Sequence, residues 1–565
     1  MLRLPNDRLL YNFRVTAGLP TSAEPLGGWE APTAELRGHF VGHYLSASAM
    51  LVAATGDNVI REKADGLVAG IAECQDKLNE NGYVSAFPSE LFVRLDHREK
   101  VWAPFYTLHK IMAGLLDMNT LAGNSQALVV VTRLAVWVDA WTGSKSEAHM
   151  QDILRTEFGG MSEVLYNLAA VTGDDRWAIT GDRFTKKVFV TPLVLRRDEL
   201  KGLHCNTHMP QVVGAARRYE LSSDYRFGDA SKFFFETISE SRTYATGGSG
   251  NTESWLTAPN HLSLEEQASS HHQECCCAYN MMKLSRHLYS WSADPQIIDY
   301  YERNLLNHRL GAIQPETGLT TYFLSMSPGA WKTTNTEDQT FWCCTGSALE
   351  DYARLNDTIY YHSKDALFVN LFVPSRLHWK ERGIRLQQET SFPAEDRTTL
   401  LLDQTPAAAW TMHLRIPLWT TTASSVRLNG RLLEISGTPG TYLTITRAWK
   451  KGDRVELAMP MRLTAAPLPD TPQQQAFLYG PLVLAGQFPR GNIGFDLEHN
   501  QGPELHELPP LSVPVLEARG EEPASWIQPV SGNPLTFRTV GQSENVTFKP
   551  LNESWDRFAV YFNIV

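Results

Sequence analysis

The sequence predicts two structural classes in succession, a large all-helical domain and then antiparallel β-sandwich structure. Three observations carry this reading. Between about residues 35 and 310 apolar residues recur at helical spacing, punctuated by Gly-Asp or Gly-Asn pairs. Near Asp357 the pattern shifts to short β-rich runs and period-two alternation. The chain, at 565 residues, is also too long for one ordinary domain.

The helical part comes first. Arg37 to Ala54 (RGHFVGHYLSASAMLVAA) is an apolar-periodic run closed by Thr55-Gly56-Asp57. Similar punctuation returns at Ala122-Gly123-Asn124, Thr172-Gly173-Asp174 and Ser222-Ser223-Asp224, each between two helical patterns. Glycine suits a left-handed C-cap, and Asp or Asn suits the next N-cap. The intervals, roughly 50 to 70 residues, hold two helices and a variable insertion. Repeated pairs imply an α-solenoid or a closed helical toroid, which spacing alone does not separate. Long aromatic insertions such as Asn81 to Lys100 belong at one rim.

The β part follows. WTMHLRIPLW and YLTITRAWKKGDRVELAMPM alternate with period two, and Asn429-Gly430 and Lys451-Gly452-Asp453 are hairpin-type turns. The expected division is a helical domain over 1–358, a β-sandwich over 359–490, and a linker with a C-terminal β segment over 491–565. Within the last, 491–510 reads as the linker, and RFAVYFNIV as a strand closing a sandwich.

Composition narrows the function. An apolar fraction of 43% and a charged fraction of 20% are those of a globular protein. A net charge of −11 argues against nucleic acid or an anionic membrane as partner. No long apolar stretch spans a membrane, and no signal peptide opens the sequence. A cytoplasmic location is the expectation, with export open if the N-terminus is truncated.

Chemistry concentrates in the cysteines. Of seven, Cys74 and Cys205 stand apart, and the others form HHQECCCAYNMMKL (Cys275, Cys276, Cys277) and FWCCTGSALE (Cys343, Cys344). An odd, clustered set does not suit a disulfide framework. Thiolates bind zinc, and a carboxylate or imidazole completes a tetrahedral set, whereas buried cysteines acting as small hydrophobes are the bland alternative. Each cluster opens a helix, where the dipole favours thiolate. Spacing leaves open a structural zinc, a zinc that activates water, and a zinc-bound thiolate that is itself the nucleophile. Upstream, TGGSGNTESW sets Glu253 beside Trp255 after a Gly-rich loop, a place where an aromatic wall would raise a carboxyl pKa for general-acid work.

At these residues the chain resembles glycoside hydrolase family 127, the β-L-arabinofuranosidase family. DRLLYNFR, GGWE, LRGHFVGHYLSA, NGYVSAFPSE, VWAPFYTLHKIMAGLLD, EFGGMSEVLYNLAAVTGD, THMPQVVGAARRYEL, ATGGSGNTESW, ECCCAYNMMKL and FWCCTG carry the resemblance over nearly the full length. It implies an (α/α)6 helical barrel followed by β-sandwich domains. It also implies a Zn2+ held by Glu274, Cys276, Cys343 and Cys344, with Cys343 as nucleophile, Glu253 as acid/base, and retention through a thioglycosyl intermediate. One departure is CCTGSALE, where relatives commonly carry a second glycine and this chain has Ser347 and Ala348.

Sugar contacts are expected first from His204 and then from His109, with His39 and His43 four apart on one helix face and Trp102 as a stacking surface. The expected substrate is a terminal β-L-arabinofuranosyl group on a plant-derived oligosaccharide or glycoconjugate. Another L-sugar, a branched acidic sugar from pectin, and a non-catalytic sugar-binding protein with structural zinc are the alternatives. No nucleic-acid or membrane partner is expected, and a homodimer is compatible with the reading.

Overall fold

The computed structural model describes residues 1–434, 437–491 and 511–565. Helices run from Asn6 to Ala353, and strands take over at Tyr360. Six helices form an inner ring: His39–Thr55, Pro104–Thr120, Met161–Thr172, Cys205–Ser222, Cys275–Ser292 and Cys343–Ala353. Each packs on the next, and Cys343–Ala353 packs back on His39–Thr55. That last contact closes the ring, so the toroid is right and the solenoid is not. Asn58–Leu78, Ser125–Gly143, Arg176–Asp182, Tyr225–Ser241 and Pro295–Arg303 alternate with the inner helices and make the outer layer of an (α/α)6 barrel.

Burial explains the two layers. In the inner helix every residue from His39 to Ala49 is buried, whereas outer helix Asn58–Leu78 buries a stripe including Ile60, Ala64, Leu67 and Ile71. The punctuation does what its chemistry requires. Gly56 (φ 72°) and Gly173 (φ 69°) end helices left-handed, as Ser223 does without glycine at φ 56°. Asp57, Asn124 and Asp224 accept from the first backbone N–H groups of the next helix. The alternation returns the chain to one end, so the N-termini of the inner helices surround a common mouth.

Residues 360–458 form a sandwich with its own core. One sheet holds Tyr360–His362, Ala366–Val369, Trp410–Ile416 and Thr441–Arg447, and the other six strands between Ser375 and Ala458. Met412 and Leu414 meet Leu400, Leu402 and Val455 between them. The sandwich departs from the expectation at one point, since Ala366–Val369 pairs parallel with Trp410–Ile416.

The boundary expected at 490 falls too late. Leu482–Phe488 pairs with Thr547–Pro550 and Arg557–Ala559, and Thr471–Tyr479 with Phe562–Asn563. The C-terminal sheet therefore begins at Leu463 and uses the closing RFAVYFNIV as part of itself. Period-two patterns on either side of 463 look alike, and only partner choice divides them. Most of the expected linker, residues 492–510, lies outside the described residues. Among the described residues, no single helix is long and apolar enough to cross a membrane.

Candidate active site

Two inner-helix starts build a cluster of sulfur and oxygen donors. Glu274 is the N-cap residue of Cys275–Ser292, and Cys343 and Cys344 open the helix that closes the ring. The donor atoms of Glu274, Cys276, Cys343 and Cys344 all lie within 4.8 Å of one another, and all four residues are buried. The sulfurs of Cys276 and Cys344 are 3.4 Å apart, those of Cys343 and Cys344 3.9 Å, and Cys343 Sγ is 3.5 Å from Glu274 Oε1. A tetrahedral zinc with Zn–S near 2.3 Å sets sulfurs about 3.8 Å apart. The donor set could hold a metal ion. Cys275 turns away to Thr321 Oγ1, and Cys277 reaches only the other carboxylate oxygen, Glu274 Oε2, at 3.7 Å. Adjacent residues on a helix face apart, so one of three consecutive cysteines joins. Ser347, at the departure from the family pattern, sits 3.3 Å from Cys276 Sγ.

Burial governs the protonation of this cluster. Burial pushes the Cys343 and Cys344 thiols and the Glu274 carboxyl well up, and the neighbouring Cys276 sulfur adds to it. Cys276 alone is held down, against burial, by contacts from Cys343, Cys344 and Ser347. Three sulfurs and a carboxylate oxygen converging in a buried site form a donor set that a dication would stabilise in its ionised form.

Glu253 arrives on a strained turn. Asn251 and Ser254 exchange backbone hydrogen bonds of 2.9 and 3.0 Å, with Thr252 (φ 49°) and Glu253 (φ 61°) between them. This is the geometry of a two-residue hairpin turn with both central residues left-handed, which normally selects Asn-Gly. Two side-chain-bearing residues there, one β-branched, mark stored strain. Asn251 anchors the turn by donating to the carbonyls of Glu265 and Ser269. The Glu253 carboxylate accepts from the Tyr322 hydroxyl, and its other oxygen lies 3.3 Å from His204 Nε2. Trp255 is fully buried against Phe234 rather than forming a pocket wall. The expected upward shift is accordingly reversed. Burial raises the Glu253 carboxyl, but His204 and Tyr322 more than offset it and hold it below its ordinary value.

The two parts meet in a pocket of about 260 Å3 lined by Trp29, Leu36, Trp102, Tyr106, Glu157, His204, Asn206, Glu253, Tyr322 and Cys343. The Tyr322 hydroxyl lies 3.7 Å from Cys343 Sγ while it donates to Glu253, so one phenol spans both groups. His204 caps helix Cys205–Ser222 through Nδ1, which accepts from Thr207 N, and turns Nε2 to Glu253. Burial lowers His204, and the Glu253 and Glu157 carboxylates more than restore it, leaving it raised. Trp102 stands at the rim, 40% exposed, edge-on to Trp29.

The other histidines do not line this pocket. His39 is buried with Nδ1 3.0 Å from both the Leu36 carbonyl and Glu30. His43 faces the barrel interior, with Nδ1 2.5 Å from Glu350 and its ring against Gly346, where a Cβ would come within 2.3 Å. His109 Nδ1 accepts from Gly160 N at 3.0 Å and lines a separate cavity beneath. The reason is helical rotation and depth, because each sits on an inner helix below its first residues or inside its cap. Conversely, sequence reasoning did not single out Tyr322, Glu157, Tyr106 or Asn206. Tyr322 has no local signal and reaches the site through the bridge of Phe323 to Glu274 and the bond of Cys275 N to its carbonyl.

A closed ring of helix pairs thus carries a sulfur-rich donor cluster and, across a small pocket, a carboxyl facing it. Residues 1–357 match the GH127 catalytic domain of β-L-arabinofuranosidases, and residues 366–461 match the GH127 middle domain. The chain belongs to glycoside hydrolase family 127. Among solved structures it is similar to a GH127 β-L-arabinofuranosidase from Geobacillus stearothermophilus T6, at 17% identity and a TM-score of 0.73, covering 99% of this chain and 94% of that one. It is also similar to the GH127 β-arabinofuranosidase BT3674, at 18% identity and a TM-score of 0.74, covering 99% and 92%. No curated protein sequence matches it.

Proposed function

We propose that the protein is a retaining exo-glycoside hydrolase that releases terminal β-L-arabinofuranose-type residues, with Cys343 as nucleophile, Glu253 as acid/base and zinc as the metal. The observation that carries this is the Tyr322 hydroxyl, which touches both Cys343 Sγ and the Glu253 carboxylate. Two reacting groups joined through one oxygen stand closer than the roughly 6.5–9.5 Å that an inverting site needs to admit water.

Glu274, Cys276, Cys343 and Cys344 would hold the zinc, which when bound keeps the thiolates ionised and oriented. The chain's own groups then perform a double displacement. Cys343 Sγ attacks the anomeric carbon, a C–S bond forms, the glycosidic C–O bond breaks, and the Glu253 proton goes to the leaving oxygen. Water then attacks the same carbon, gives its proton to Glu253, and the C–S bond breaks to return the thiolate. Two inversions give retention.

The pocket supports the substrate class. At about 260 Å3 it is smaller than the roughly 300–1,000 Å3 of drug-sized sites, which suits one terminal sugar ring. Glu157 beside Glu253 favours a neutral sugar over the acidic pectin sugar, whose carboxylate would meet like charge. Four protein donors fill a tetrahedron, which speaks against a zinc-bound water.

The test is turnover of an aryl β-L-arabinofuranoside by wild type, Cys343→Ser and Glu253→Gln. Both variants should lose turnover while Glu253→Gln keeps metal and fold. Full activity in either would remove the corresponding role, and unaltered sugar binding with no turnover by wild type would leave a binding protein.

A further inference from the structure

The barrel contains a second cavity at the end opposite the pocket. Its volume is about 530 Å3, and its mouth lies among the C-terminal turns of the inner helices, near Thr120, His287 and Asp357. Its floor is formed by His109 and Lys110, high on helix Pro104–Thr120. The 11 steps from Lys110 to Leu121 at about 1.5 Å each make it about 16 Å deep.

Most wall charges pair off. Lys283 meets Glu163 at 2.8 Å, Arg286 meets Asp357 at 2.7 Å, and Arg354 meets Glu350 at 3.6 Å. Two groups are left over. Lys110 is 9% exposed, and its ammonium lies 5.1 Å from the Tyr106 ring centroid with no hydrogen bond or ion pair among the described residues. Asp117, seven residues further along the same helix face, takes a hydroxyl from Ser46 and keeps acceptor capacity. Glu350, the carboxylate that acts most on Lys110, is already held by His43 at 2.5 Å and Arg354 at 3.6 Å, so a buried ammonium is left with no direct partner, and an anion in the cavity would supply one.

We propose that this rear cavity binds a small hydroxylated carboxylate, a sugar acid, with its carboxylate on Lys110 and hydroxyls toward Asp117. The volume lies inside the range of small-molecule sites. The sign of the surroundings selects a monoanion. Lys283, Arg286 and Arg354 are already paired, so Lys110 offers one positive charge, which a single carboxylate matches and a phosphate dianion exceeds. Hydroxyls suit Asp117 because a carboxylate only accepts.

Isothermal titration of the full-length protein with D-galacturonate tests this, with galactose and inorganic phosphate as comparison ligands. Galacturonate should bind once, and Lys110→Met should weaken it about tenfold to a hundredfold. Asp117→Asn should weaken it less, and Glu253→Gln should leave it unchanged, which separates this cavity from the pocket. Absent binding, binding that survives both rear variants, or equal binding of galactose or phosphate overturns the proposal. Should circular dichroism show Lys110→Met unfolded, Asp117→Asn decides, and undiminished affinity there overturns it.

Discussion

Tyr322 and His204 tune Glu253, the proposed acid/base group, and each tuning has a measurable consequence. Tyr322 donates to Glu253 and touches Cys343. Tyr322→Phe should lower kcat about tenfold to a hundredfold, the value of a hydrogen bond to a charged group, with metal content unchanged. Loss of metal in that variant would mean that the phenol serves the cluster instead. For His204 the sign follows from the contact. Its hydrogen bond favours the ionised Glu253 carboxyl and holds it down, so removing it raises that carboxyl. The first chemical step needs Glu253 protonated, and the falling alkaline limb of kcat/KM reports its loss of a proton. His204→Gln should therefore move that limb to higher pH, and an unmoved or downshifted limb contradicts the assignment. The sequence pattern pointed to His204 and both cysteine clusters because they sit in dense local motifs. It was silent on Tyr322 and Glu157, whose roles exist only once remote segments meet, and spacing alone left Cys275, Cys276 and Cys277 equivalent, with only the family resemblance favouring Cys276, because helix rotation is set by packing.

At the scale of the element, two local geometries hold the chemistry in place. The turn carrying Glu253 keeps Thr252 at φ 49°, a position where a β-branched residue is strained. Thr252→Asn should relieve this and stabilise the fold by about 1 kcal/mol, since Asn tolerates the left-handed region. Calorimetry that shows a lower melting temperature would place the value of Thr252 in its hydroxyl contacts to Asn251 and Ser269 instead. The helix carrying Cys343 and Cys344 needs Gly346, because a Cβ there would come within 2.3 Å of the His43 ring. Gly346→Ala should push the helix outward, cost about 1–3 kcal/mol and reduce metal binding. A variant with wild-type metal affinity and stability would show that His43 yields easily. The cap punctuation made the helices around Gly56-Asp57 and Gly173-Asp174 legible from sequence, since a glycine C-cap and an acidic N-cap are local chemistry. Closure of the ring was not local, because it rests on the contact between the first and last inner helices.

At the scale of the whole molecule, both β domains reach into the barrel. Arg415, fully buried on strand Trp410–Ile416, pairs with Asp299 at 2.6 Å and Glu302 at 2.5 Å on the outer helix Pro295–Arg303. The C-terminal sheet goes further and supports the loop that carries Glu253. The backbone N–H of Ala245, eight residues before Glu253, donates to the Tyr561 hydroxyl at 2.9 Å. The same sheet is tied to the barrel where Asn307 donates to the Pro481 carbonyl at 2.8 Å and accepts from Val483 N at 2.7 Å. This explains why the third unit begins at Leu463, before the expected boundary, since the hairpin at Pro481 is the part that grips the barrel. Tyr561→Phe removes one oxygen and leaves a buried N–H without a partner, a cost of about 1–3 kcal/mol. The loss falls on the loop that aims Glu253, whereas the donors of the metal cluster lie on other segments. The variant should therefore melt earlier and turn over more slowly, with its metal content intact. Metal loss in step with activity would contradict this, because it would mean that the C-terminal sheet supports the cysteine helix and not the turn that carries Glu253.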